Sequence, residues 1–138
     1  MPSPKPRKMF VNLAVKDLDK AKAFFAALGF ECNPQFTDAN AAALVISDEN
    51  YAMLLTEPFF KGFTSNGICD TARANEAIIA ISCDTKDEAK QMGAAALAAG
   101  ARRAQPPKDL GFMYVEAIYD LDGHHWEFFW MDPAAVKA

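Results

Sequence analysis

Apolar and polar positions alternate along Met9–Val15, with Phe10, Asn12 and Ala14 on one face and Val11, Leu13 and Val15 on the other. A period of two predicts a strand. Asp17 then supplies a helix N-cap, and Leu18, Ala21, Phe24, Phe25 and Leu28 recur at helical spacing. Gly29 follows where a left-handed C-terminal residue is wanted. Three short strands are expected next, at 30–36, 42–46 and 51–56. Pro34 places the first at an edge or bulge, and the polar run 47–50 makes the turn between the other two.

The same order then returns. Residues 78–83 read as a strand, Thr85 and Glu88 form a capping box, and Ala89, Met92, Ala96 and Ala99 make one helical stripe that ends at Gly100. Further strands fit at 101–105, 112–119 and 125–130, with 120–123 as the last turn. Strand, helix and three strands thus recur at a period of about 68 residues, the mark of an internal duplication. One helix covers only one face of a four-stranded sheet, so the other face must meet a matching unit. The predicted fold is α+β: two tandem βαβββ units forming an eight-stranded, incompletely closed barrel around a concave cavity, the default binding site. The expected boundaries are a disordered tail at 1–8, a single domain at 9–132 and a tail at 133–138. Within the domain, a connector at 57–76 joins halves at 9–56 and 77–131.

Composition narrows the function. A length of 138 residues suits one domain with a full core, and eleven Phe point to aromatic core or cavity walls. A net charge of −4 argues against a nucleic-acid groove, and Lys5, Arg7 and Lys8 read as a solvated tail. Cys32, Cys69 and Cys83 carry no CxxC pairing, which disfavours a disulfide framework or structural zinc and suits a reducing, cytoplasmic setting. Cys83 reads as a small core residue rather than a nucleophile. No apolar run reaches the length of a membrane-spanning helix, and MPSPKPRK is no secretory signal. Nucleophile-elbow and phosphate-loop patterns are absent.

Two stretches carry a resemblance. FVNLAVKDLDKAKAFFAALGF at 10–30 resembles the opening signature of the vicinal oxygen chelate superfamily, which includes glyoxalase I, bleomycin-resistance proteins and extradiol dioxygenases. DLDGHHWEFFW at 120–130 resembles its final hairpin, and the branch it looks most similar to is the lactoylglutathione lyase-like one. The resemblance implies a small-molecule ligand and a homodimer. It also implies four metal-ligand positions on the first and fourth strands of each half, which fall on Phe10, Leu54, Ile78 and Glu127. Only Glu127 can donate to a metal, whereas a divalent ion wants three or four donors. The expectation is therefore no catalytic metal and no other cofactor. The adjacent His124 and His125 point to opposite faces and cannot share one ion. A relocated site built from His125, Glu127 and Asn12 is the alternative the residues allow.

The expected ligand-contacting set is Phe10, Asn12, Leu54, Ile78, His125, Glu127 and Phe129, and the expected function is binding of a small organic molecule in an aromatic-lined cavity. Glu127 stands in sequence among Trp126, Phe128, Phe129 and Trp130, a setting that penalises a buried charge and suits an acid–base group. The alternative function is accordingly a glyoxalase I-type lyase or isomerase with Glu127 as the catalytic proton-transfer residue. Against each reading stands a structural one. Glu127 fits a tied carboxylate, His125 a residue bonded to the hairpin turn, and Asn12 a satisfied core amide. Trp126 and Trp130 fit core packing. Alternation leaves open whether Tyr114 and Glu116 or their neighbours look into the cavity. Phe59, Phe60 and Phe63, at helical spacing in the connector, fit a lid or a subunit contact.

Overall fold

Both repeats form a four-stranded sheet with a helix packed on one face. The computed structural model describes residues 4–135, and its chain divides between Ile68 and Cys69 into two compact units. In the first unit, β1 (Met9–Val15) leads into α1 (Leu18–Ala27), whose N-cap Asp17 accepts the Lys20 N–H at 3.0 Å. Gly29, with φ 97°, turns the chain at the helix end as the sequence demanded. β2 (Glu31–Asn33), β3 (Ala41–Val45) and β4 (Asn50–Thr56) complete a sheet of order β1-β4-β3-β2, in which β1 runs parallel to β4. The short helix α2 (Glu57–Lys61) follows.

The second unit repeats this order. β5 (Ile78–Ser82), α3 (Lys86–Ala98), β6 (Arg102–Asp109), β7 (Met113–Tyr119) and β8 (His125–Met131) form a sheet of order β5-β8-β7-β6, again with its first strand parallel to its last. Thr85 caps α3 by accepting the Glu88 N–H at 3.0 Å. Equivalent order and pairing in both units are what a duplication requires. The α+β pair of sheets matches the expected fold, and hydrogen bonds close neither sheet.

Two strands differ from their expected spans by more than a residue at an end. β2 stops at Asn33, where Pro34 opens a 3-10 turn at Pro34–Phe36. Proline removes the ladder donor, and the Asn33 side chain accepts the Gln35 N–H instead. β6 runs on through Pro106 and Pro107 to Asp109, with register irregularities on either side of Gln105. Prolines are tolerated there because β6 is an edge strand. Of the expected tails, residues 1–3 and 136–138 lie outside the described residues. Residues 4–8 have no regular structure, yet Lys8 is tied to the first unit by bonds to the Asp48 carbonyl (3.1 Å) and the Tyr51 hydroxyl (3.3 Å). Among the described residues no helix is long and apolar enough to cross a membrane.

Candidate functional site

Strand register decides which side chains can meet. In the second sheet Ile78, Ala80 and Ser82 pair with His125, Glu127 and Phe129, and Met131, Phe129, Glu127 and His125 pair with Met113, Val115, Ala117 and Tyr119. Paired residues share a face, so all of these look away from α3. The opposite face carries Trp126, Phe128, Tyr114, Glu116 and Ile118, all buried. α3 lies there, with Lys86 over the Trp130 ring and Lys90 over the Tyr114 ring. The open question of β7 is thereby resolved. Tyr114 and Glu116 belong under the helix, where Glu116 pairs with Arg103 at 2.9 Å and accepts the Tyr114 hydroxyl. Trp126 is core, and it donates from Nε1 to Asp120 at 2.9 Å.

The face away from α3 holds a concavity of about 250 Å³. Met113, Val115 and Ala117 of β7 floor it, Glu127 of β8 stands on one side, and Gln105, Lys108 and Leu110 on the other. Among the described residues that line this hollow none is aromatic: the rings of the second unit pack mainly beneath α3, and aliphatic side chains form the floor. Glu127 is 29% exposed, and its Oε2 lies 3.6 Å from His125 Nε2. The Trp126, Phe128 and Trp130 that flank it in sequence project to the other face, so the apolar burial inferred for its charge does not arise. His125 packs edge-on against Tyr119 at 5.3 Å, and its buried Nε2 makes no hydrogen bond among the described residues. The hairpin turn binds His124 instead: its N–H donates to Asp120 at 3.0 Å and its ring faces Glu76 at 3.8 Å. Phe129 shares the Glu127 face, one pair further along the ladder.

The first unit places its expected residues otherwise. Phe10 pairs with Tyr51 and stacks on its ring at 4.8 Å, while Asn12 pairs with Met53. Asn12 is exposed, with a single bond to the Phe10 carbonyl at 3.4 Å, so it is not a core amide. Leu54 requires correction. It pairs with Leu13 on the face that packs under α1, is 0% exposed, and cannot touch a ligand on the Phe10 face. A one-residue shift on a strand reverses the face, and Met53 holds the position equivalent to Glu127. Ile78 does share the Glu127 face, at 59% exposure, but it sits beside His125 at the start of β5 rather than in the hollow. The structure thus groups His125, Glu127, Phe129 and Ile78 on one sheet face and leaves Phe10 and Asn12 on the other unit's sheet.

The metal of the expected ligand pattern can be tested on donor chemistry. With Leu54 replaced by Met53, the positions are Phe10, Met53, Ile78 and Glu127, which offer one carboxylate and one thioether. Hard or borderline divalent ions need several oxygen or nitrogen donors, and these residues do not fit one. Among the described residues no three His, Cys, Asp or Glu side chains converge. Cys83 is buried, with Met92 sulfur at 3.7 Å, and burial pushes its thiol up to about 12, which removes the thiolate a nucleophile needs.

Sequence reasoning missed Gln105, Lys108, Leu110 and Met113 as lining. The visible signal was the charged residue beyond Pro106 and Pro107, which reads as a loop unless the strand is carried through an irregular edge.

The comparisons agree with this architecture. The profile of bleomycin resistance protein-like N-terminal domains matches residues 7–47. Hypothetical protein SA1046 from S. aureus is 28% identical, with a TM-score of 0.76 over 91% of this chain and 95% of that one. A glyoxalase/bleomycin resistance protein/dioxygenase family enzyme from Burkholderia phytofirmans PsJN is 16% identical, with a TM-score of 0.73 over 88% and 96%. TioX from Micromonospora sp. ML1 is 25% identical, with a TM-score of 0.61 over 94% and 98%. No curated protein matches the chain by sequence.

Proposed function

We propose that this chain belongs to the vicinal oxygen chelate superfamily, binds a small organic molecule in the concavity on the second sheet and uses no metal there. The supporting observation is the hollow of about 250 Å³ floored by Met113, Val115 and Ala117 with the Glu127 carboxylate in its wall. An apolar floor with few polar groups at its rim is the usual composition of a ligand site. The volume lies just under the range of drug-sized sites, which suits a compact ligand.

A direct test is titration of isotope-labelled protein with 1-hexanol, a small amphiphile. The Met113 methyl resonance shifts on binding if the hollow is the site, while a Met53 methyl on the other unit serves as the reference. No shift at Met113 would sink the proposal. Elemental analysis of the purified protein is the second check, and one transition-metal ion per chain would overturn the metal-free part.

A second reading is favoured by the 3.6 Å approach of His125 Nε2 to Glu127 Oε2, a carboxylate and an imidazole sharing one face. Such a pair is equipped for proton transfer on a carbon acid, as in a lyase or isomerase. In that case Glu127→Gln abolishes turnover and leaves the unfolding midpoint unchanged. Undiminished turnover rules Glu127 out as the base.

A further inference from the structure

The polar groups of the concavity are sorted by charge across its width. Of the described residues that line it, Glu127 alone is anionic and Lys108 alone is cationic, and they belong to opposite flanks. Glu127 pairs with Ala117 on β7, which pairs with Gln105 on β6, while Lys108 pairs with Val115, two residues further along the floor. Two inter-strand steps and one two-residue step separate their backbones by about 12 Å. Val115, Ala117 and Met113 fill the interval with apolar surface.

Among the described residues neither charge faces a lysine, arginine or carboxylate of opposite sign at close range. Lys108 makes no hydrogen bond or ion pair among the described residues, and the Glu127 carboxylate meets only His125, at 3.6 Å. The neighbouring cations are engaged elsewhere. Arg102, on the same face, lies over the Tyr119 ring at 4.6 Å, and Lys86 is held by Asp109 at 3.1 Å. A ligand lying across β7 therefore meets an acceptor at one end, a donor at the other and methyl groups between.

We infer that the ligand is amphoteric: an amine or ammonium group bound at Glu127, an anionic group such as a carboxylate bound at Lys108, and a short apolar segment between them on Met113, Val115 and Ala117. This rests on the ligand site proposed above and assigns its chemical class. Molecules with both charges on one carbon are too short to reach both ends at once. An ω-amino acid with several methylenes has the required reach.

The experiment compares 6-aminohexanoate, hexylamine, hexanoate and 1-hexanol by calorimetry and by the Met113 methyl resonance, on the full chain. Each end charge contributes about fivefold, the scale of a partly exposed ion pair, so 6-aminohexanoate binds about fivefold more tightly than either singly charged probe. Lys108→Met reduces 6-aminohexanoate to the level of hexylamine. Glu127→Gln reduces it to the level of hexanoate. Equal binding of all charged probes, or an unchanged affinity for 6-aminohexanoate in Lys108→Met, overturns the inference. If 1-hexanol shifts Met113 but the amphoteric probe gains nothing, the site stands and its chemical class is wrong. If no probe shifts Met113, the site itself is refuted and this inference with it.

Discussion

In the first unit the helix supplies the bulk of the helix–sheet contact. α1 buries Phe24, Phe25 and Leu18, and the sheet beneath it presents Ala42, Leu44, Ala52 and Leu54. In the second unit the volumes are exchanged. α3 buries Ala89, Gly93 and Ala96, and the sheet presents Trp126, Phe128 and Ile118. Core packing conserves total volume rather than its location, so two copies of one topology fill the helix–sheet space from opposite sides. The exchange bears on function. Large rings drawn under α3 leave the hollow on the far face of the second sheet to be lined by aliphatic, polar and charged side chains, with Tyr119 and Phe129 of that face outside its lining. On the first sheet the corresponding row carries the stacked Phe10 and Tyr51.

The contrast can be broken most severely at Phe25, which is 1% exposed. Phe25→Ala empties the contact that only the helix fills, and the cost is about 3 to 5 kcal/mol of unfolding free energy. Denaturant melts measure it. A loss under about 1 kcal/mol would mean that the first sheet can close over the gap, and the volume argument would fail.

The two hairpin turns form a second contrast. The turn between β3 and β4 is a surface arrangement in which Asn50 Nδ2 bonds Ser47 Oγ at 3.1 Å. The turn between β7 and β8 is built around Asp120, which accepts from the Asp122 N–H (2.9 Å), the His124 N–H (3.0 Å) and Trp126 Nε1 (2.9 Å). Asp120→Ala leaves buried donors without acceptors and costs about 3 kcal/mol, against less than about 0.5 kcal/mol for Asn50→Ala. The pH dependence has a definite sign. Burial, the largest influence, raises the Asp120 pKa above the ordinary 3.8 despite the nearby His124 ring and the bonds it accepts. The folded state therefore holds this proton more tightly than the unfolded chain. The stability so gained is full below 3.8 and is lost as pH rises through the folded value. Asp120→Asn carries no such proton, so wild type should lose stability relative to this variant across that interval. A constant difference between the two would refute the assignment.

Local chemistry made much of this legible in sequence. Asp17, Thr85, Gly29 and Gly100 announce helix ends because capping involves only a few neighbouring residues. The alternation of Met9–Val15 and 125–130 gave faces that agree with the pairing found. The site was less legible, and Leu54 shows why. Its face depends on register with β1, a contact more than forty residues distant along the chain, and one step reverses it. Lys108 was hidden for a related reason: irregular pairing and two prolines disguise β6, so the flank it forms exists only once β7 is in place. Glu127 was recognisable as an isolated acid. Its surroundings were not, because sequence neighbours on a strand are not neighbours in space.

The finest difference between the units is one missing side chain. Gly93 sits in the middle of α3, where alanine would ordinarily gain about 1 kcal/mol from helix propensity. A β-carbon there would run into the Glu116 side chain. An exposed, flexible carboxylate would move aside. Glu116 is 3% exposed and is held by Arg103 and Tyr114, so yielding means breaking an ion pair and stranding a buried charge. The clash therefore wins over the propensity, and Gly93→Ala destabilises by about 1 to 2 kcal/mol net. In the background of Glu116→Ala, where the obstruction is gone, the same substitution becomes neutral or stabilising. A double-mutant cycle on unfolding free energy distinguishes the two outcomes. If Gly93→Ala costs the same in both backgrounds, the glycine is there for some other reason than close approach to β7. A change of sign shows that α3 is seated by an absent methyl group, where α1 is seated by two phenyl rings.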